Sequence, residues 1–337
     1  MDDIRDNFLL CIDAKKLRVK NLPNFIFICG GLIADLGDQD LNAPPPLPKS
    51  MRDALMRRIP EMRHIPVNQR ITHDKIILAE EFQDWLEHSV VDNLIDFEIV
   101  LADLASAVIL VVEGLGAYAE LGTFSIVESI SEKLITVVNT NTTVDKSFVN
   151  LGLLKYLEDN NRTLLKYRWD VRYSVSAREG TRVNLSLTGS HEQINQIADV
   201  ILERLTAEVQ VKTQQSVNFN IQAKGHVCLL IGDLIYIFSA LKVGEIKKCL
   251  NDGFGINITL KKIKEYIYTL EKLGYVDVEH SGDTYYIATE KNLGFIKYRY
   301  VPDKDEIFEF NDVHDIKANA ILYYRDHDNA RLALIRG

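Results

Sequence analysis

The sequence predicts an α/β protein in which a parallel sheet, with helices on both faces, is followed by a winged helix-turn-helix domain. Over about 190 residues, short apolar runs of strand length alternate with amphipathic helical segments. The pattern then changes to three helix candidates and a hairpin signal. The expected segments are a helical lead-in (1–21), the α/β domain (22–210), a polar linker (211–223), the winged helix (224–300) and a charged tail (301–337).

The first strand of the α/β domain is predicted at Phe25–Cys29, and Gly30 and Gly31 end it. Such a glycine pair forms either a plain tight turn or a loop that approaches a phosphate closely. Four of the eight prolines follow within residues 38–50, which argues against a helix there. Ser50 then predicts the N-cap of a short helix.

A second strand is predicted at Lys75–Ala79, and it leads directly into the acidic pair Glu80 and Glu81. Two helices follow, and the second of them carries Glu98. They are predicted at 82–90 and 92–105.

The run Ala107–Val112 has the length and the β-branched content of a buried strand. A tight loop is predicted next at Glu113–Gly116, followed by a helix that begins near Ala117. This helix places Glu120 in its first turn, where the helix dipole is expected to keep the carboxylate ionised. Two further strands are predicted at 134–138 and 163–167, with a helix at 146–157 between them. A capping box at 190–193 then predicts the start of a last helix, which extends to about 209.

A glycine pair or acidic residues therefore follow three predicted strands at the point where each strand ends. Parallel strands end at the same edge of a sheet, so these residues are expected to meet there. We predict that Glu120 is catalytic, that the glycine turns hold a pyrophosphate and that the other acids accept ribose hydroxyls. The simpler alternatives are a helix-capping role for Glu120, a solvated face for Glu98 and core packing for Tyr118. The candidate substrate-binding residues are Gly30, Gly31, Glu80, Glu81, Glu98, Glu113, Gly116 and Tyr118.

The C-terminal half predicts helices at 227–240, 243–251 and 259–273, then a hairpin across 280–283. Residues 224–300 hold eleven Lys and Arg against nine Asp and Glu, although the whole chain carries −9. This modest basic charge suits contact with a nucleic-acid backbone, but winged helices also dock proteins. The lysines expected on the recognition helix are Lys261, Lys262, Lys264 and Lys272.

Composition argues against several other classes. The four cysteines lack CxxC spacing and no histidines pair, so no metal site is predicted. The longest apolar run, Val227–Leu241, is too short to span a bilayer, and the N-terminus lacks a signal-peptide pattern. A soluble cytoplasmic protein without a membrane partner is therefore expected. A basic segment at 49–70 is either a solvated face or a flap that contacts phosphate or nucleic acid.

A carboxylate without a histidine partner suits the cleavage of a ribosyl–base bond. The bond breaks with positive charge developing on the sugar, and a nearby anion stabilises that charge or attacks it. Most leaving bases need an acid to protonate them. The nicotinamide of NAD⁺ is already cationic and departs neutral, so one ionised glutamate can suffice.

Three stretches of the sequence resemble the nucleoside 2-deoxyribosyltransferase-like fold, which has a flavodoxin-like parallel sheet. They are Phe25–Gly31 (FIFICGG), the acidic pair after the second strand, and residues 116–125 (GAYAELGTFS). The Gly-x-x-x-Glu-Leu-Gly core of the last stretch is the most specific part. With the winged helix behind it, the arrangement over residues 22–300 is similar to the effectors of retron anti-phage systems.

The resemblance implies a toxin of an antiviral, abortive-infection system: an N-glycosidase that hydrolyses NAD⁺ as its substrate and needs no cofactor. Glu120 takes the place of the catalytic glutamate. The implied partners are a retron reverse transcriptase and its msDNA, a DNA–RNA molecule, which would restrain the toxin; a homo-oligomer or higher assembly is also expected. Ala107 and Ala117 replace an Asp and a Ser or Thr of the deoxyribosyltransferases, which favours hydrolysis over base transfer.

Two alternatives stay open. One is a nucleotide or deoxynucleoside N-glycosidase, which would need an acid for its leaving group. The other is a nucleotide-sensing regulator whose winged helix binds DNA.

Overall fold

The computed structural model describes residues 3–34, 45–82, 91, 93–141, 146–176, 182–212, 218–301, 310 and 312–336. The helix predicted at 82–90 and the start of the proline-rich segment lie outside these residues. Within them, no helix has the length and apolar character needed to cross a membrane.

The strands of the described residues include all of the predicted ones and several that were not predicted. They are β1 (Arg18–Val19), β2 (Ile26–Cys29), β3 (Ile76–Ile77), β4 (Ala107–Val112), β5 (Leu134–Asn139), β6 (Thr163–Tyr167), β7 (Val171–Ser176), β8 (Arg182–Leu187), β9 (Ala240–Leu241), β10 (Val276–Ser281), β11 (Asp283–Ala288) and β12 (Ile296–Lys297).

The α-helices of the same residues are numbered in chain order. They are α1 (Ile4–Leu10), α2 (Met51–Arg58), α3 (Leu94–Leu104), α4 (Gly114–Ile126), α5 (Glu128–Ser131), α6 (Lys155–Asp159), α7 (His191–Lys212), α8 (Lys224–Phe238), α9 (Val243–Phe254), α10 (Leu260–Lys272), α11 (Val313–His327) and α12 (Asn329–Arg336). Short 3-10 helices occur at Ile59–Glu61, His73–Lys75 and Ala79–Phe82, and a π-helix at Val149–Leu154.

The chain forms two compact units. The first, here called the sheet unit, contains residues 24–81 and 105–215; the second, the helical unit, contains residues 1–23, 82–104 and 216–337. Residues 82–104, which the sequence assigned to the α/β domain, thus group with the helical unit. Each unit is described by itself below.

The sheet unit contains a parallel five-stranded sheet with the strand order β3-β2-β4-β5-β6 among its described residues. The predicted parallel α/β sheet is therefore confirmed. Its order corresponds to the 2-1-3-4-5 order of flavodoxin-like sheets. The β4 and β5 side chains are buried on both faces, as expected for central parallel strands.

The two faces of this sheet pack against different helices. On one face, Ile109 and Ile135 join a core with Leu55 of α2 and Ile201 of α7. On the other face, the ring of Phe27 lies 6.5 Å from that of Phe124 on α4. The Ser190–Gln193 capping box at the start of α7 is confirmed: Gln193 N donates to Ser190 Oγ (3.2 Å), and Ser190 N donates to Gln193 Oε1 (3.0 Å).

The helical unit contains the three helices and the hairpin that the C-terminal sequence predicted. Helices α8, α9 and α10 precede the antiparallel pair β10–β11, to which β9 adds a third strand. Gly282, with φ of +70°, turns the hairpin. At the start of α8, the buried carboxylate of Asp103 accepts a hydrogen bond from Gly225 N (3.0 Å).

One local prediction for the sheet unit is wrong, and one pair of strands was missed. The tight loop at Glu113–Gly116 does not form, because α4 begins at Gly114, directly after β4. A further antiparallel pair, β7–β8, was not predicted.

Candidate active site at the carboxyl edge of the sheet

The strand order of the sheet reverses between β2 and β4. The chain leaves β2 for β3 on one side and then returns to β4 on the other side of β2. Ligands of open parallel sheets bind where the order reverses in this way. Glu80 and Glu113 follow strands at the carboxyl edge, and Arg52 and Glu120 lie in the first and second turns of helices that begin there.

Glu120 lies in the second turn of α4, not in the first, since the helix begins six residues before it. Its Oε2 is buried and has no hydrogen-bond partner among the described residues. Burial raises the pKa of Glu120 to about 7; the charge of Arg52 opposes this rise, and that of Glu80 adds to it. The expectation that the carboxylate stays ionised is therefore wrong, because burial disfavours its charged form.

Arg52 is the functional candidate that the sequence did not single out. The sequence placed it on a basic face, but its side chain is only 3% exposed. Its Nε donates to Gly31 O (2.6 Å), and Nη1 lies 3.3 Å from Ile28 O. Both Nη atoms also donate to the Glu80 carboxylate, at 2.5 and 3.3 Å. Arg52 therefore links the turn after β2 to the segment after β3.

The pKa values of the two acids after β3 are shifted in opposite directions. Burial opposes ionisation of Glu80, but the hydrogen bonds and charge of Arg52 outweigh it, so the pKa of Glu80 is lowered. Burial, and then the charge of Glu80, raise the pKa of Glu81. Glu80 is thus ionised at neutral pH, and it remains accessible, since 47% of its side chain is exposed.

Glu113 holds the start of α2. Its carboxylate accepts from Met51 N (2.9 Å) and Arg52 N (3.2 Å), and the residue is only 4% exposed. Burial raises the pKa of Glu113 to about 7, although these backbone hydrogen bonds oppose the rise. The sequence predicted that Glu113 contacts substrate, whereas the structure makes it a cap for a helix N-terminus.

The glycine pair after β2 is required by close packing. A Cβ at Gly30, where φ is +147°, would lie 2.7 Å from Val111 O. A Cβ at Gly31 would lie 2.5 Å from Ser50 Cβ and 3.0 Å from Glu113 Oε2. The glycines therefore let α2 approach the sheet edge, which accounts for them without a ligand.

The start of α4 is open. Its N-cap residue makes no side-chain capping hydrogen bond, and a Cβ at Gly114 or Gly116 would meet nothing within 4 Å. Uncapped N–H groups at a helix N-terminus suit an anion such as a phosphate. Tyr118, on the same helix, is half-buried. The pKa of Tyr173 on β7 is raised, chiefly by burial and also by electrostatic interaction with Tyr118.

Other predicted site residues lie in the helical unit. Glu98 is on α3, so its contact with substrate stays a prediction. Lys261, Lys264 and Lys272 are exposed on α10 as expected. Lys262 is not: its Nζ pairs with Asp96 (3.2 Å) and with Glu265 (2.6 Å).

The middle of α10 is covered. Tyr268 is buried and its ring lies 6.3 Å from that of Phe97 on α3. The exposed lysines of α10 therefore lie near its two ends. In the part of the chain that the structure describes, no group of three or more His, Cys, Asp or Glu side chains could hold a metal ion.

Fold and site thus define an α/β protein whose sheet edge carries two carboxyl groups with pKa values raised to about 7, Glu113 and Glu120. Of the two, Glu120 is the one with an oxygen that has no hydrogen-bond partner among the described residues. A family model described as the STM3845 retron effector protein matches residues 48–278. The match covers more than half of the sequence, and the chain belongs to this family of retron effectors. The retron resemblance stated from the motifs is confirmed.

Two proteins of Escherichia coli are similar to the chain. One, named "Retron Ec73 putative ribosyltransferase/DNA-binding protein", is 26% identical over 176 residues, which cover 52% of this chain and 54% of that protein. The other, "Retron Ec86 putative ribosyltransferase/DNA-binding protein", is 26% identical over 150 residues, 44% of this chain and 42% of that protein. The chain spans about half the length of these curated relatives.

Proposed function

We propose that this retron effector is an N-glycosidase that hydrolyses the bond between nicotinamide and ribose in NAD⁺. The observation that carries the proposal is Glu120, whose buried Oε2 has no hydrogen-bond partner in the described residues. An unpaired carboxyl group at a strand-order reversal is available to act on a substrate. The ribosyltransferase names of the two relatives agree with chemistry at a ribosyl bond.

The reaction needs little acid–base help. The bond between the anomeric carbon and the pyridinium nitrogen breaks, and its electron pair neutralises the ring. Water adds to the anomeric carbon and loses one proton, giving ADP-ribose. The Glu120 carboxylate stabilises the positive charge that develops on the sugar, or attacks it first and is then released by water.

A cationic substrate also favours the active form of Glu120. With a pKa of about 7, the group is roughly half ionised at neutral pH. A positive charge within about 4–6 Å stabilises a carboxylate, so the cationic nicotinamide ring of bound NAD⁺ would lower the pKa of Glu120. The open N-terminus of α4 would receive the pyrophosphate of the same substrate.

The raised pKa of Glu120 also favours a second candidate, a nucleoside or nucleotide N-glycosidase. A protonated Glu120 could donate a proton to an uncharged leaving base. The two reactions need opposite protonation states of Glu120. The rate of the first should therefore rise with pH around neutrality, and the rate of the second should fall.

We further propose that α8–α10 and the β10–β11 hairpin form a winged helix that contacts the retron msDNA. The order of elements supports a winged helix. The exposed Lys261, Lys264 and Lys272 supply the positive charge, at the ends of α10. Through this contact the reverse transcriptase–msDNA complex would restrain the toxin in a larger, cytoplasmic assembly.

The test is to incubate the purified effector, and separately its retron complex, with NAD⁺ or deoxynucleosides and to measure the released base by chromatography. We expect nicotinamide release that Glu120→Gln reduces by at least about 1000-fold. Glu128→Gln, a carboxylate at the start of α5, is the matched control and should leave release unchanged. Equal release by the Glu120→Gln and wild-type proteins would contradict the assignment.

A further inference from the structure

We infer that Arg52 fixes the Glu80 carboxylate as the acceptor of a vicinal diol, so that the site selects ribosides over 2′-deoxyribosides. The inference rests on the proposed function, because it concerns the sugar that Glu120 acts on. It assigns to Arg52 the role of a positioning residue and to Glu80 that of a specificity-determining residue.

Arg52 is itself held rigidly. It lies in the first turn of α2, and its backbone N donates to Glu113 Oε2 (3.2 Å). Its Nε donates to Gly31 O (2.6 Å), which anchors the guanidinium plane to the turn after β2. A buried guanidinium with these partners has one orientation, and its two Nη atoms point at Glu80.

Glu80 depends on this arginine for its position. It lies on a single 3-10 turn, Ala79–Phe82, after a strand of only two residues, so the local backbone constrains it little. The two hydrogen bonds from Arg52 form the fork geometry that pairs guanidinium with carboxylate. They fix both carboxylate oxygens in one plane.

The same carboxylate keeps room to accept further hydrogen bonds on its outward side. A carboxylate has about four acceptor positions; Arg52 uses two of them, and the backbone N–H of Glu80 also donates to the carboxylate. Almost half of the Glu80 side chain is exposed, whereas the side chain of Arg52 is buried. The lowered pKa of Glu80 keeps it ionised at neutral pH, and an ionised carboxylate accepts but never donates.

This arrangement suits two adjacent hydroxyl groups. The 2′- and 3′-hydroxyls of a ribose can each donate to one oxygen of a fixed carboxylate. A 2′-deoxyribose supplies only one of these donors and leaves one acceptor position without its partner. Discrimination by a half-exposed acceptor is expected to be about 10- to 100-fold, less than in fully buried sites.

The experiment measures binding in the Glu120→Gln background, so that no substrate is consumed. Calorimetry compares NAD⁺ with an analogue that lacks the 2′-hydroxyl on the nicotinamide ribose. We expect the analogue to bind about 10- to 100-fold more weakly. Adding Glu80→Gln should reduce the difference to less than about threefold, because the charged acceptor is lost.

Arg52→Lys keeps the charge but removes the fork, and it should reduce the discrimination in the same way. The matched control is Arg57→Lys on the same helix, since Arg57 pairs with Asp53 outside the site. It should keep the full preference. Thermal unfolding verifies that each variant is folded. If Arg52→Lys does not fold, the result for Glu80→Gln decides the test.

Discrimination that survives Glu80→Gln would overturn the inference, as would equal binding of both ligands by the Glu120→Gln protein. Failure of the proposed function is separate. If the wild-type protein releases no nicotinamide, but its preference for the riboside depends on Glu80, the hydrolase proposal fails and the inference stands. Binding of neither ligand contradicts both.

Discussion

Two clusters of charged side chains, one in each unit, differ in how completely their atoms are paired. In the helical unit, Lys262 Nζ contacts Asp96 (3.2 Å) and Glu265 (2.6 Å), and Lys224 Nζ lies 2.5 Å from Asp96. In the sheet unit, Arg52 and Glu80 pair, but Glu120 Oε2 has no hydrogen-bond partner among the described residues.

The difference separates charges that hold the fold together from those that are available for chemistry. Every charged group around Lys262 faces an opposite charge, as structural ion pairs do. Glu120 instead loses hydration without a compensating hydrogen bond, which raises its pKa to about 7. A protein tolerates that cost where function requires it. Substitution of Glu120 should therefore raise the free energy of unfolding, whereas substitution in the cluster around Lys262 should lower it.

The largest effect is expected at Glu113, whose pKa is raised to about 7 like that of Glu120 but whose two carboxylate oxygens both accept hydrogen bonds. Glu113→Ala leaves the N–H groups of Met51 and Arg52 without their acceptor. Two buried donors without partners should lower the free energy of unfolding by about 2–5 kcal/mol. Urea denaturation measures this. A loss below about 0.5 kcal/mol would mean that the cap is not needed.

Glu120→Gln should have the opposite effect on stability. The pKa of Glu120 is raised on folding from 4.5 to about 7, so ionisation disfavours the folded state. The penalty is absent below pH 4.5, grows as the pH rises, and is complete above pH 7. The variant should therefore be more stable than wild type by on the order of 2 kcal/mol at pH 8, with little difference at pH 4.5. Destabilisation at pH 8 would argue that Glu120 is paired.

The pH dependence of catalysis separates the two proposed reactions. If ionised Glu120 is the active form, kcat/KM for NAD⁺ should rise about tenfold between pH 6 and pH 8. A general acid would make kcat/KM fall over the same range. Initial rates of nicotinamide release at subsaturating NAD⁺ provide the measurement.

The smallest effect is expected at Lys262. Lys262→Met removes one cation from a partly exposed network. Asp96 keeps its ion pair with Lys224 in this variant. Unfolding should become easier by about 1 kcal/mol, and nicotinamide release by the isolated effector should not change. A tenfold loss of release would show that this cluster takes part in catalysis.

The strands that build the site were predictable because β2 and β4, and their neighbour β5, are short apolar runs that contain β-branched residues. Their parallel arrangement places Gly30, Glu80 and Glu113 at one edge, as predicted. The β7–β8 pair could also have been found, since VRYSVS and RVNLSL alternate apolar and polar residues.

The start of α4 and the role of Arg52 could not be predicted in this way. Two glycines in Gly114–Gly116 suggest a loop, because glycine has low helix propensity. The helix nevertheless begins there, directly after Glu113, whose carboxylate caps α2. Arg52 looked like its neighbours Arg57 and Arg58, and only the folded chain distinguishes its buried guanidinium from their partly exposed ones. These features depend on contacts between residues that are distant in sequence.

The most direct test of the account is a measurement of the Glu120 pKa itself. Carboxyl carbons of glutamate, labelled with ¹³C, are followed by NMR from pH 4 to pH 9, and the Glu120 signal is identified by its loss in Glu120→Gln. The account predicts a midpoint near 7 in the protein without substrate. A midpoint near the ordinary 4.5 of glutamate would contradict it, because Glu120 would then be hydrated or paired like any surface acid.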